Sequence, residues 1–283
     1  MGLTAWATCS SVCGLLPMCG WAQTSVEVTT RMLLRYGERA RSRKMPLVLH
    51  VGPSLLIDSE LVFYESMRTA GPFRAVFVEP NPAVLERLER RIRTAGGEES
   101  TVDILAMAMC RADDESVPFF RFSPGFRTDF PHAESVMDML QEWGTLEGAQ
   151  HLLQDVSVKT SFHWQRWQGI GEPRWDDYVQ EIRTACVTPA RLLDTLAASP
   201  RDVDLAIVDA EGVDAEVVDM LTALDGFRPA VLQFEWGHVN NNSTGRQANR
   251  VERTLRVLRR LARWNYTLFR MGVDIVALAP PGT

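Results

Sequence analysis

The sequence predicts an α/β protein with a single sheet, parallel except for an antiparallel edge strand, and a partly helical insertion. Short apolar runs alternate with segments of helical periodicity from Leu47 to Leu224, the pattern of strands joined by crossover helices. The runs stop at residues suited to a ligand site: Gly52, Glu79, Asp209 and Glu235. The chain then closes on two strand-like stretches, 266–270 and 274–279, joined around Gly272, and so short a connection makes them antiparallel. Ligands of such sheets sit beyond the carboxyl ends of the strands. Those four residues should therefore converge on one rim.

The first segment with helical spacing, 24–43, puts Val28, Met32, Leu33 and Tyr36 on one face and Arg31, Arg35, Glu38 and Arg39 on the other, and Pro46 ends it. Leu47-Val48-Leu49 is a strand that meets a turn at Gly52-Pro53, and a helix starts near Ile57 with Leu61, Val62 and Met67 inward. The second strand, 75–78, stops at Glu79, and 82–94 forms a helix with Val84, Leu85, Leu88 and Ile92 on its apolar face. A third strand spans 102–109. The run from Val117 to Phe122 reads as a hairpin or edge strand, because Pro118 cannot donate to a central ladder.

Residues 123–185 show no clear strand and hold Trp143, Trp164, Trp167 and Trp175. A structureless connection of that length is unusual, so the region reads as an insertion, helical at 133–143 and 149–156. Its tryptophans either frame a substrate or form the insertion's own core, the commoner fate of a large aromatic. Beyond it, Thr188 caps a helix with Pro189 in its first turn. A strand at 203–208, a helix at 214–224, a strand at 230–234 and a basic helix at 249–264 follow. The arginines at 246, 250, 253, 256, 259, 260 and 263 read as a solvated face or as a surface for phosphate or an acidic partner.

The 283 residues suffice for one large α/β domain, and 46% hydrophobic with 23% charged residues excludes wholesale disorder. A formal charge of −6 speaks against nucleic acid as the main partner. No apolar run reaches the roughly 20 residues of a membrane helix, so no integral membrane segment is expected. Of the five cysteines, Cys9, Cys13 and Cys19 lie in the first twenty residues without zinc-ligand spacing, and Cys110 and Cys186 do not suggest a disulfide framework. Residues 1–22 carry no charged side chain, and Gly20 and Ala22 satisfy the small-residue rule for cleavage before Gln23. No basic residue precedes the apolar region, and Pro17 interrupts it. The segment reads as a signal peptide, directing the chain to the secretory pathway or the extracellular space, or as a disordered leader on a cytoplasmic protein. Residues 23–283 form a single domain with its insertion at about 123–186.

An acid directly after a second strand, as Glu79 is, can accept both ribose hydroxyls of an adenosine or face the N-terminus of the helix that follows. Asp209 and Glu211 flank Ala210 and would both face the site in a turn, where one can orient a hydroxyl for deprotonation; alternatively Asp209 caps the next helix. No third ligand clusters with them, so no metal is expected. Beyond the next strand come Glu235 and His238, and His238 is the candidate general base because histidine accepts a proton near neutral pH. His132 and His163 in the insertion are weaker alternatives.

Four stretches resemble one family. VDLAIVDAEGVDAEVVDML at 203–221 resembles the strand-and-helix signature of FkbM-type methyltransferases, a branch of the S-adenosylmethionine-dependent class I fold. TPARLLDTL at 188–196, VFVEPNPAVLERLERRI at 76–92 and AMCRADDESVPFF at 108–120 resemble the elements that accompany it, in the same order. The resemblance covers about 47–279 apart from the enlarged middle. It implies a three-layer Rossmann-like methyltransferase sheet, S-adenosyl-L-methionine as cofactor, and O-methylation of a hydroxyl on a sugar, polyketide or other small-molecule or glycan acceptor. Glu79 would then bind the cofactor ribose, Ala108 and Met109 would lie near the adenine, and Asp209 would face the methionine part or the acceptor. His50, Gly52, Ser54, Asn81 and Glu211 would complete the cofactor site, with His238, Asp209 and Glu235 as the catalytic set.

The family's first motif, Asp-x-Gly-Ala-Asn-x-Gly, reads His50-Val51-Gly52-Pro53-Ser54-Leu55-Leu56 here. A catalytically inactive descendant, serving as a binding or scaffolding protein, would have its pocket filled by Pro53, Leu55 or Leu56. A nicotinamide-dependent enzyme fits less well, since the glycine spacing is absent.

Overall fold

The computed structural model describes residues 19–20, 24–43, 45–55, 58–96, 100–129, 140, 144–146, 148–150, 152–153, 174–236 and 246–282. A two-residue strand, β1 (Cys19–Gly20), precedes helix α1 (Ser25–Ala40), which begins where the Thr24 hydroxyl accepts the Glu27 N–H and buries Val28, Met32 and Tyr36. Strand β2 (Leu47–Val51) is buried along its whole length and leads to α2 (Asp58–Arg68). Next come β3 (Arg74–Val78), α3 (Leu85–Gly96) and β4 (Thr101–Leu105). In α3, Leu88 and Ile92 are fully buried, each contributing about 2 kcal/mol, while the exposed Glu89–Arg93 pair contributes at most about 0.5 kcal/mol.

The middle of the chain supplies β5 (Met107–Met109), β6 (Asp114–Phe122), α4 (Gly125–Asp129), β7 (Gly144–Thr145) and β8 (Val179–Val187). Helix α5 (Pro189–Thr195) is capped by the Thr188 side chain, which accepts the Arg191 N–H, with proline in the first turn. The last third is β9 (Val203–Val208), α6 (Asp214–Ala223), β10 (Val231–Glu235), α7 (Arg246–Arg263), β11 (Thr267–Met271) and β12 (Asp274–Leu278).

The main sheet has the order β1-β11-β12-β10-β9-β2-β3-β4. Helices cover both faces. Leu49 and Val51 of β2, Val76 and Val78 of β3, and Ala206 and Val208 of β9 pack with residues of α5, α6 and α7. Val48, Ala75, Phe77, Leu205 and Ile207 point the other way, toward α1, α2 and α3. The period-2 alternation of the strands thus feeds two cores, and the architecture is three-layered and mostly parallel.

Four sequence expectations need correction. The antiparallel strand is not at the edge: β12 pairs with both β10 and β11 in antiparallel register and lies inside them. Its Ile275, Val276, Ala277 and Leu278 are all buried, whereas β11 exposes Thr267 and Arg270, so the more apolar strand of the terminal hairpin takes the inner place. The strand expected at 102–109 breaks at Ala106, and β5 joins a second sheet of order β5-β8-β6-β7. That sheet also contains β8, where no strand was expected, and it places β6 between β8 and β7 rather than at an edge. Pro118 is tolerated because β7 pairs only with Phe120 and Arg121, leaving Pro118 opposite Arg183 alone.

Cys110 and Cys186 form a disulfide, with Cα atoms 5.8 Å apart and 76 residues of separation. A loop of that size makes such a link stabilising by about 4 kcal/mol. Trp175 stacks on Phe126 at 5.4 Å between centroids and meets Phe122 edge-on, in a small cluster of the insertion's own. Trp143, Trp164 and Trp167 lie outside the described residues, as does most of the helix expected at 133–143 and part of that at 149–156. On α7, Arg253 pairs with Glu216, and Arg256 and Arg260 pair with Asp219 at 3.4 and 3.2 Å. Much of the basic face is thus a seam with α6, and Arg259 and Arg263 stay exposed. Among the described residues no helix is long and apolar enough to cross a membrane.

Candidate active-site cleft

Three parallel strands, β3, β2 and β9, end side by side, and the ladder continues one residue past each end. Gly52 N–H donates to the Val78 carbonyl (2.9 Å), Asp209 N–H to the Val51 carbonyl (2.9 Å) and Glu79 N–H to the Leu105 carbonyl (3.0 Å). The turns after β2 and β9 are thereby pressed together. Gly52 has φ +74°, and a Cβ there would sit 1.9 Å from the Asp209 carbonyl oxygen. The sequence places this glycine in a ligand site, and the neighbouring turn is what requires it. Backbone packing alone accounts for the residue.

Glu79 is nearly fully buried, and its carboxylate accepts the N–H of Ser54 at 2.9 Å and of Asn81 at 2.7 Å. It clamps the β2 turn, where Ser54 has φ +47°, to the end of β3. Burial pushes its pKa up to about 7, the two N–H bonds opposing and the Glu211 charge adding. Asp214, which sequence reasoning passed over, does the same for the β9 turn. Its two oxygens accept the N–H groups of Ala210 (2.7 Å) and Gly212 (3.0 Å), fixing Glu211 at φ +46°. Its pKa also rises to about 7, burial again being the largest cause. An aspartate in the first helical turn just after Gly212 was the local signal for such a clamp.

Asp209 faces the cleft. Burial by the surrounding protein, then the charges of Asp214, Glu211, Glu235 and Glu60, push its pKa well above the usual carboxylate range. The residue keeps contact with solvent, so the like charges are the firmer part of that shift.

These turns enclose a cavity of about 70 Å³. Gly52, Ser54, Glu79, Asp209 and Glu211 line one side, and Ala108, Met109 and Phe119 of the second sheet form another. Gly144, Thr145 and Leu146 also line it. The rim expected from the sequence is therefore assembled in large part. His50 is not part of it: the strand alternation turns its ring to the opposite face, fully buried against Phe77 and within 3.0 Å of the Tyr64 hydroxyl. Burial lowers its pKa to about 3, which keeps it neutral. Asn81 is also buried away from the cavity, its Oδ1 accepting the Ala83 N–H at 3.1 Å at the start of the α3 turn. Glu235 ends β10 opposite Asp274 and lies outside the lining. His238, His132 and His163 fall outside the described residues.

Phe119, Gly144, Thr145 and Leu146 were not legible as site residues, because long-range strand pairing brings them in. Among the described residues no group of His, Cys, Asp or Glu is placed to hold a metal ion. Comparison with family models, with curated proteins and with solved structures gives no match. The cleft must be read from its own chemistry.

Proposed function

We propose that the cleft binds S-adenosylmethionine and that the protein transfers its methyl group to a hydroxyl of a sugar, polyketide or other small-molecule or glycan acceptor. The observation that carries this reading is the acidic, acceptor-rich character of the lining. Among the described residues, Glu79, Asp209 and Glu211 line the cavity, and no Lys, Arg or His does. Such a wall suits a ligand with positive charge and hydroxyl groups, which a sulfonium, an amine and a ribose supply. Its described residues offer no cation to the pyrophosphate of a dinucleotide. The strand order supports the same choice: β4-β3-β2-β9-β10 is the first five places of the dinucleotide fold, but the reversed β12 then stands where that fold continues in parallel.

The donor, when bound, supplies an electrophilic methyl carbon, and the chain's part is mostly positioning. Glu79 and Asp214 have both carboxylate oxygens committed to backbone N–H groups. Asp209, open to the cleft with a raised pKa, is the residue best placed to take the acceptor's hydroxyl proton. Titration calorimetry with S-adenosylhomocysteine tests the reading, with micromolar binding expected. Absence of heat up to millimolar ligand rejects it.

One observation favours the inactive alternative, a binding or scaffolding protein: about 70 Å³ is far below the roughly 300 Å³ of a typical ligand pocket. Two of the residues expected to fill the pocket are not responsible. Pro53 and Leu55 are buried outside the lining, and Leu56 falls outside the described residues.

A further inference from the structure

The turn between α7 and β11 carries chemistry unrelated to the cleft. Asn265, Tyr266 and Thr267 form the triplet Asn-x-Thr with no proline at its centre, the acceptor pattern for N-linked glycosylation. Helix α7 ends there in a motif of backbone bonds. The Tyr266 N–H donates to the Leu261 carbonyl at 3.1 Å and the Asn265 N–H to the Ala262 carbonyl at 3.0 Å. Asn265 takes the left-handed position of that motif, with φ +61°, which asparagine tolerates better than most residues. Backbone groups alone close the turn, so the exposed side-chain amide of Asn265 is not committed to it. Tyr266 is 1% exposed, and its hydroxyl donates to the Pro229 carbonyl at 2.6 Å. Thr267, the first residue of β11, is exposed again. The tyrosine anchors the triplet while the amide and the hydroxyl stay at the surface.

The turn stands at the end of the sheet opposite the cleft. β11 is antiparallel to β12, β12 is antiparallel to β10, and β10 is parallel to β9, so β11 runs in the direction of β9. Thr267 is level with Leu278, Val231 and Leu205, near the start of β9, whereas the cleft lies past Val208 at its other end. A bulky group on Asn265 is carried at the far side of the sheet from the ligand site. A separate observation bears on the compartment. The Cys110–Cys186 disulfide belongs to an oxidising environment, and the lumen in which N-glycans are attached is one. The signal peptide expected at 1–22 would direct the chain there.

We propose that Asn265 is a site of N-linked glycosylation and that the chain folds in the lumen of the secretory pathway. In the transfer, the side-chain amide nitrogen attacks C1 of an oligosaccharide carried on a lipid diphosphate. The N–C1 bond forms and the C1–O bond to phosphate breaks. The lipid diphosphate leaves with the electron pair, the amide gives one proton to a base of the transferase, and nothing is oxidised or reduced. The Thr267 hydroxyl is the second element of the triplet that the transferase reads. The site holds whatever ligand the cleft takes.

The test is peptide mass spectrometry on the full chain isolated from the cells that make it, with and without peptide N-glycosidase in heavy-oxygen water. Labelled aspartate at position 265, appearing only after digestion, is the expected result. Asn265→Gly removes the acceptor and suits the left-handed turn. Thr267→Val keeps a β-branched residue at the head of β11 and removes only the hydroxyl, and Thr267→Ser keeps the hydroxyl. The first two variants should lose the modification completely and the third should retain it. An unmodified Asn265 in the chain from its own cells overturns the proposal, and so does modification that persists in Thr267→Val. Modification confined to Asn241 or Asn242, whose Asn-x-Ser and Asn-x-Thr triplets lie outside the described residues, overturns Asn265 as the site and upholds the compartment. Free thiols at both Cys110 and Cys186 in the isolated chain overturn the compartment.

Discussion

Asp204 and Asp209 stand at opposite ends of one strand, β9, and their surroundings are opposite in sign. Asp204 is fully buried, and its carboxylate accepts the Arg39 Nε–H at 2.9 Å and the Leu47 N–H at 3.1 Å, with Arg43 Nε at 3.3 Å. Burial raises its pKa, and those three partners pull it down. The geometry, with two guanidinium groups in contact, keeps it ionised. Asp209 has acids for neighbours, and each of them adds to the rise. At the first end, α1 brings cations that tie helix to sheet. At the second, carboxylates crowd together, and backbone N–H groups bind those of Glu79 and Asp214. A chain selected for stability alone would neutralise both rims. Carboxylates with raised pKa values gathered in a cleft make that rim the candidate for meeting a ligand.

The comparison can be broken at the joint between turns. Gly52→Ala should cost about 4 kcal/mol or more, because its Cβ meets backbone that has no room to shift and φ is positive. Urea denaturation measures this, and a loss below 1 kcal/mol would show that the turns are not pressed together as described.

A smaller effect separates the rims by pH. Glu79 has its pKa raised to about 7 in the folded protein, so the folded state binds that proton more tightly than the unfolded one. Its contribution is fully present below the unfolded value near 4.5 and is lost as pH rises through about 7. Over that window wild-type stability should fall more steeply than that of Glu79→Gln, by up to about 3 kcal/mol. Thermal melts from pH 4.5 to 8 compare the slopes, and equal slopes would refute the assignment. Asp214 adds a slope of the same sign in both proteins.

The gentlest contrast is between the two aspartates themselves. Asp204→Ala should lose about 2 kcal/mol, leaving a buried N–H without its acceptor and two guanidinium groups that can still reach water. Asp209→Asn should leave stability unchanged or raised, since it relieves repulsion, while abolishing the proposed methyl transfer. Equal destabilisation by the two substitutions would remove the distinction.

Much of this was legible in the residues. LVLHV, RAVFV and VDLAIV announce strands because a strand covered on both faces is apolar throughout. Thr188 and Pro189 announce a helix start through purely local bonds. The acids Glu79 and Asp209 fall at strand ends that any parallel sheet brings to one rim. The second sheet left no such trace. In β8, Gln180, Glu181 and Arg183 are exposed and only Thr184, Cys186 and Val187 are buried, so its pattern resembles a polar loop. Its partner β6 lies more than sixty residues earlier, with Val117 opposite Thr184, and no local period encodes that pairing.

The sequence by itself determined which stretches are strands and helices and which strand ends carry acids, because periodicity, capping and turn chemistry act over a few residues. The tertiary structure decided what those residues do. It turned His50 away from the cleft, made Gly52 a requirement of the Asp209 turn, occupied Glu79 with backbone N–H groups, and brought Gly144, Thr145 and Leu146 into the cavity lining. These are contacts between residues distant in the chain, where register and burial decide which partners meet.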